Sequence, residues 1–244
     1  MSRRRALVTG GTGAIGAEIA RQLRDDGMAV TVIGHPSEQP GLAELRSRLE
    51  AVEIAFCDLA DGEAASQLVC ALEQQDGGYA VLVNAAGITR DARFARMSPS
   101  QWREVIGTNL DAAFYVTQPL FTGMCARGYG RIVNIASVNG QKGQFGQANY
   151  SAAKAGLHGF SMALAQEGAG QGVTVNTVSP GYVETPMTAA IRPELLAKIR
   201  AQIPLGRLAL PAEIARVVVF LCAEQAGYIT GANIPVNGGL FMSA

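Results

Sequence analysis

Short runs of nearly unbroken apolar residues recur along the whole chain, and each of the first six is followed by a stretch with helical spacing. The runs lie at 5–9, 28–34, 52–59, 79–87, 130–137, 172–181 and 232–236. Helical patterns fill 15–24, 41–50, 61–75, 98–127, 149–167 and 211–222. A strand that is apolar on both sides must be covered on both faces, and strands joined through helices run parallel. The pattern therefore predicts one doubly wound α/β domain over 1–244, with a seven-stranded parallel sheet and helices on both faces. Pro119 falls inside the 98–127 helix and is expected to bend it, or to mark a turn that is already irregular.

Charge and composition narrow the function classes. Lys+Arg 20 balances Asp+Glu 20, which removes the electrostatic case for nucleic acid or an anionic membrane as partner. No stretch approaches the roughly 18 apolar residues of a membrane helix. The start MSRRRALVTGG lacks the apolar centre of a secretory signal, so a cytoplasmic protein is expected. Cys57, Cys70, Cys125 and Cys222 show no CxxC spacing and read as small buried hydrophobes. His35 and His158 are too few for a metal site. Arg3-Arg4-Arg5 leads into an apolar run and reads as a solvated strand edge or end.

The segment TGGTGAIG, 9–16, joins the first predicted strand to the first helix. Gly10 suits a tight turn, Gly13 lets backbone amides approach a diphosphate, and Gly16 lets the helix pack close to the sheet. An ordinary strand–helix turn is the bland alternative. The segment has no GK[ST] ending, which favours a dinucleotide over ATP hydrolysis. After the second strand the chain reads IGHPSEQPG: His35 follows Gly34, and no acid appears until Glu38. A carboxylate directly after the strand would hold a ribose 2′-hydroxyl and repel a 2′-phosphate. Its absence there, with Ser37 as a donor and Arg5 or His35 within possible reach, leads to the expectation of NADPH, with NADH use also possible. Asp58, with Leu59, follows the third strand and either accepts from the adenine amino group or caps the next helix. Asn84-Ala85-Ala86-Gly87 ends the fourth strand, where small residues admit the adenosine ribose; Asn84 could equally tie neighbouring strands together.

Tyr150 and Lys154, in YSAAK, are four apart and share a helix face. Alone the pair is as consistent with packing as with chemistry. Together with TGGTGAIG, NAAG, Asn109, Ser137 and SPG at 179–181, however, YSAAK resembles the short-chain dehydrogenase/reductase family over essentially the whole chain. That resemblance implies a Rossmann-type domain and four catalytic residues. Tyr150 would be the general acid and Ser137 the hydrogen-bond donor to the carbonyl. Lys154 would bind the nicotinamide ribose and lower the tyrosine pKa, and Asn109 would hold a relay water. It also implies a cofactor wall from Gly10, Thr12, Gly13, Ala14, Ile15 and Gly16 through Pro180, Gly181, Val183 and Thr185. Ala85 departs from the family's usual second asparagine.

Within that family, RIVNIASVNGQKGQFGQANYS, ITRD at 88–91 and SPGY at 179–182 are similar to the acetoacetyl-CoA reductases. This likeness implies reduction of acetoacetyl-CoA to (R)-3-hydroxybutanoyl-CoA. Gln144, Phe145, Gln147 and Tyr182 would border the acyl group, with Asp91 at the pocket mouth and Arg96 near the CoA moiety. A 3-oxoacyl-(acyl-carrier-protein) reductase is the neighbouring alternative, and a nucleotide-sensing module without turnover is another. In the span 183–210, Met187, Ile191, Leu195, Leu196 and Ile199 recur at helical spacing, either as a lid or as a packed surface helix. The resemblance further implies a homotetramer, paired through the long helices and the carboxy-terminal segment.

Overall fold

The computed structural model describes residues 4–75 and 77–242, apart from the side chain of Met187; Arg3 therefore lies outside the described residues. Its strands are β1 (Arg5–Thr9), β2 (Ala29–Gly34), β3 (Glu53–Phe56), β4 (Val81–Asn84), β5 (Gly130–Ile135), β6 (Val173–Pro180) and β7 (Asn233–Val236). They form one sheet in the order β3-β2-β1-β4-β5-β6-β7, with every pairing parallel. The helices are α1 (Ala14–Asp25), α2 (Leu42–Arg48), α3 (Gly62–Glu73), α4 (Pro99–Ile106), α5 (Ala112–Arg127), α6 (Val138–Lys142), α7 (Ala148–Gly168), α8 (Pro186–Ala189), α9 (Pro193–Gln202) and α10 (Pro211–Cys222). The expected Rossmann-like architecture is thus present.

Successive strand residues point to opposite faces, and the core divides accordingly. Ala6 and Val8 of β1 join Val30, Val32, Val81 and Val83 beneath α1 and α10, where Ile19, Leu23, Ile214 and Val218 are fully buried. Leu7 joins Leu82, Ile132 and Val175 on the other face, under Val69 of α3 and Val116, Leu120 and Met124 of α5. No helix among the described residues is long and apolar enough to cross a membrane.

Three local readings change. The long helix is interrupted at a π turn, Gly107–Asp111, and Pro119 sits within the continuous α5. There Asn109 Nδ2 donates to the carbonyls of Val105 (2.8 Å) and Ile88 (2.9 Å), so a side chain takes a carbonyl from the helical ladder. Arg5 is buried, not solvated. Its guanidinium donates to Tyr79 Oη (2.9 Å) and the Gln75 carbonyl (2.5 Å) and stacks 4.3 Å from the Tyr79 ring. It stands at the amino end of β1, opposite the edge that a nucleotide would use. Finally, Cys57 and Cys222 are buried as expected, but Cys70 is exposed, on the outer side of α3, and Cys125 is only partly covered.

Candidate active site

Parallel strands deliver their carboxyl ends to one edge of the sheet, and the chemistry-bearing residues gather there. Gly10 leaves β1 with φ +61, and a Cβ on it would come within 2.8 Å of the Ala86 backbone. Thr9 Oγ1 accepts from the amides of Ala85 (3.1 Å) and Ala86 (3.2 Å), which ends β4 at Asn84 and folds NAAG against the glycine loop. No side chain caps Gly13, the residue before α1, so the first-turn amides of Ala14, Ile15 and Gly16 form a donor-rich helix start. A Cβ at Gly87 would strike Asn109 Oδ1 at 2.5 Å and approach Lys154 Nζ at 3.3 Å. Along this edge, from the start of α1 past NAAG to the lysine, glycines keep the backbone of neighbouring segments in close approach. That edge fits an extended dinucleotide.

Asn84 faces inward. Its Nδ2 donates to Asn134 Oδ1 (2.8 Å) and Thr117 Oγ1 (2.9 Å), tying β4 to β5 and α5. Asp58 does not cap α3. Asp61 does, accepting from the Ala64 amide at 3.1 Å. Asp58 instead turns its Oδ1 to the Ala60 amide (3.0 Å), and its other oxygen lies 3.9 Å from His35 Nε2. Leu59 beside it is buried.

Ser137 follows β5 and Tyr150 lies in the first turn of α7, near enough that the serine hydroxyl acts on the phenol. Ser137 Oγ also accepts from the Asn139 amide at 3.1 Å. Tyr150 is partly buried, and that burial pushes its pKa up. The Ser137 hydroxyl opposes the rise and the Asp91 carboxylate adds to it. One turn later, Lys154 is buried and donates from Nζ to the Ile135 carbonyl at 2.8 Å. Its Nζ is 5.7 Å from the Tyr150 ring centroid, and burial lowers its pKa to about 8. The expected depression of the phenol pKa by this lysine is not what the arrangement produces. Loss of water acts on both groups and favours the neutral form of each.

Asn109, held by two carbonyls, keeps a buried Oδ1 with no protein partner, close to Lys154. That atom is suited to hold a water. Pro180 ends β6, Gly181 packs where a Cβ would meet Asn237 at 2.9 Å, and Val183 is buried beside Ala209. Thr185 caps α8 with Thr188.

On the substrate side, Gln147 Nε2 donates to both oxygens of Asp91 at 3.0 Å, while its Oε1 accepts from Asn139 Nδ2 at 2.9 Å. Asn139 is thus a holding residue that the sequence reading missed. Gln144 Oε1 accepts from Lys142 Nζ at 3.2 Å. Phe145 is 80% exposed at the rim, with the Arg93 guanidinium 5.6 Å from its ring, and Arg96 ends the short 3-10 turn Phe94–Arg96 beside it in sequence. Burial, and then Asp91, raise the pKa of the half-buried Tyr182. In the 183–210 span, Ile191, Leu196 and Ile199 pack with Tyr182, Ile203, Leu208 and Leu240 in a satellite cluster, whereas Leu195 is exposed. No group of three or more potential metal ligands occurs among the described residues.

A family model described as enoyl-(acyl carrier protein) reductase matches residues 11–241. The chain is 51% identical over 241 residues to an acetoacetyl-CoA reductase of Allochromatium vinosum, covering 97% of this chain and 98% of the relative. It is 50% identical over 246 residues to one from Cupriavidus necator, covering 99% and 100%. It is also 44% identical over 246 residues to a 3-oxoacyl-(acyl-carrier-protein) reductase, FabG, of Aquifex aeolicus, covering 97% and 96%.

Proposed function

The chain belongs to the short-chain dehydrogenase/reductase family, and from that premise we propose that it reduces acetoacetyl-CoA to (R)-3-hydroxybutanoyl-CoA. The observation that carries this reading is the convergence at the carboxyl edge of Ser137, Tyr150 and, one turn along, the buried Lys154. A bound reduced nicotinamide dinucleotide supplies the hydride. As the carbonyl carbon accepts it, negative charge grows on oxygen. Ser137 and Tyr150 present two O–H groups to that oxygen, and Tyr150 gives up its proton to complete the alcohol. Its raised pKa keeps it protonated before that moment. Lys154 stands within reach of a ribose passing Gly87, and the unpartnered Asn109 Oδ1 offers a seat for a water that returns the proton.

Gln147 is oriented from both ends by Asp91 and Asn139, and with Phe145 and Tyr182 it forms a compact acyl wall. Arg93 and Arg96 at the rim suit the phosphates of CoA. The segment 183–210, whose Ile191, Leu196 and Ile199 pack with Tyr182, borders the same wall. A homotetramer is supported by exposed apolar side chains on the long helices, Trp102, Phe114 and Met162, and near the carboxy terminus, Phe220 and Tyr228. The carrier-protein reading is supported by the description of the matching family model and by the 44% identity to FabG, below the identities to the acetoacetyl-CoA reductases. Mixing the protein with a reduced nicotinamide and acetoacetyl-CoA, then with the carrier-linked thioester, and following loss of nicotinamide absorbance tests both. Faster turnover of the carrier-linked substrate at equal concentration overturns the CoA assignment, and no oxidation with either overturns the reading.

A further inference from the structure

We propose that Glu38 selects NADH over NADPH, so the NADPH expected from the strand-end sequence is not the preferred reductant. The proposal rests on the dinucleotide reading above and adds a residue to it. After Gly34 ends β2, His35 opens a 3-10 turn, Pro36–Gly41, which carries Glu38 back towards the sheet. Glu38 Oε2 accepts from the His35 amide at 3.0 Å and from Thr12 Oγ1 at 2.7 Å. A Cβ on Gly34 would meet that oxygen at 2.9 Å and Thr12 Cγ2 at 2.7 Å. The carboxylate is therefore seated between the glycine loop and the end of β2, and glycine at 34 makes the room.

That place is defined by the fold. With a diphosphate at the start of α1, the adenosine ribose crosses from the glycine loop to the end of β2, where an acid about 20 residues past the glycines meets its 2′-hydroxyl. Glu38 reaches the place from beyond the strand end, through the turn, which is why reading the residue after Gly34 misses it. Both recorded bonds end on Oε2, which leaves Oε1 to accept from a ribose hydroxyl. A 2′-phosphate would bring like charge against this carboxylate and displace it from Thr12. Little compensates on the same side. Residues 35–41 include no lysine or arginine, the only cationic candidate in the turn is His35, and its ring already faces Ser37 Oγ (2.7 Å) and the Asp58 carboxylate (3.9 Å). Arg5 is committed at the opposite edge of the sheet.

Glu38 also closes a capping box, so the test must separate charge from turn geometry. Glu38→Gln keeps an oxygen that accepts from Thr12 and His35 and removes only the charge. Dissociation constants for NADH and NADPH are measured without thioester, from the fluorescence of the bound dihydronicotinamide, with melting curves as a folding control. The wild type is expected to bind NADH at least about tenfold tighter, and Glu38→Gln to shrink that ratio by about tenfold, chiefly by tightening NADPH. Thr12→Val, which unseats the carboxylate without altering charge, is expected to shrink the ratio less. A wild type that favours NADPH, or a ratio unmoved in both variants, overturns the proposal. Binding of neither nucleotide overturns the dinucleotide reading and this proposal together. The expected ratios without oxidation of NADH by acetoacetyl-CoA uphold the selector and sink the substrate assignment.

Discussion

The two ends of the same parallel sheet treat buried cations in opposite ways. At the amino end, Arg5 donates to Tyr79 Oη and Gln75 O and stacks on Tyr79, and Arg131 donates to the carbonyls of Gly130 (2.8 Å) and Gly172 (3.2 Å) and stacks on Tyr129. At the carboxyl end, the buried Lys154 has one protein acceptor, the Ile135 carbonyl, and its pKa falls to about 8. Among the described residues, Asn84, Asn109, Asn139, Gln141 and Ser151 nearby each carry a buried polar atom without a protein partner, whereas Thr174 is the single such case near the amino end. A guanidinium spreads its charge over several donors and can be saturated by a rigid set of carbonyls and rings. An ammonium left with one acceptor keeps bonds in reserve for a ligand and bears a stability cost meanwhile. One edge holds the sheet together; the other is kept incomplete for chemistry.

The sharpest break between the edges should come from Tyr150→Phe. Loss of the general acid is expected to lower kcat by about 10³-fold or more, with nicotinamide binding nearly unchanged in a fluorescence titration. Undiminished turnover would remove Tyr150 from the mechanism.

Lys154 should have the next largest effect, and on stability as well as rate. Its pKa falls from 10.5 in the unfolded chain to about 8 in the fold. Between those values the unfolded state holds the proton and the native state does not, so stability rises with pH across that window. Below pH about 8 the penalty is fully present and amounts to roughly 3 kcal/mol. Lys154→Met should flatten the rise in urea unfolding midpoints and stabilise the protein at neutral pH even as turnover collapses. A loss of stability at neutral pH would show that the lysine holds the fold as the arginines do.

Arg5→Ala should do the reverse. Removing a saturated buried side chain leaves a cavity and strands the Gln75 carbonyl, at a cost of about 2–3 kcal/mol. The protein that remains folded should keep its kcat, and a selective fall in kcat would erase the distinction between the edges. The smallest effect is expected from Asp91→Asn. Because Asp91 raises the Tyr150 pKa, its neutralisation should bring the alkaline fall of kcat to lower pH. An unchanged limb in the pH–rate profile would show that the phenol does not sense that carboxylate.

The element order was legible in the chain because apolar runs and helical spacing are repeated cues, and the strand predicted at 5–9 is the strand observed. Boundaries moved where side chains intercept backbone groups: Thr9 takes the amides that would have extended β4 past Asn84, and Asn109 takes the Val105 carbonyl at the π turn Gly107–Asp111. Pro119 was the more visible irregularity but sits in α5 without interrupting it. Within the site, the spacing of Tyr150 and Lys154 announced a shared face, whereas Asn139, which holds Gln147, left no separate signal.

By itself the sequence determined the alternation of strand and helix, the glycine-lined turn after β1 and the helical interval from Tyr150 to Lys154, because each follows from local sterics and periodicity. Only the tertiary structure decided that Lys154 spends its hydrogen bond on Ile135, that Arg5 is sealed at the far edge, and that Glu38 returns to Thr12. Those outcomes depend on which carbonyls and carboxylates the crossovers bring within about 3 Å of one another, a distance at which hydrogen bonding and desolvation act and which no one-dimensional spacing encodes.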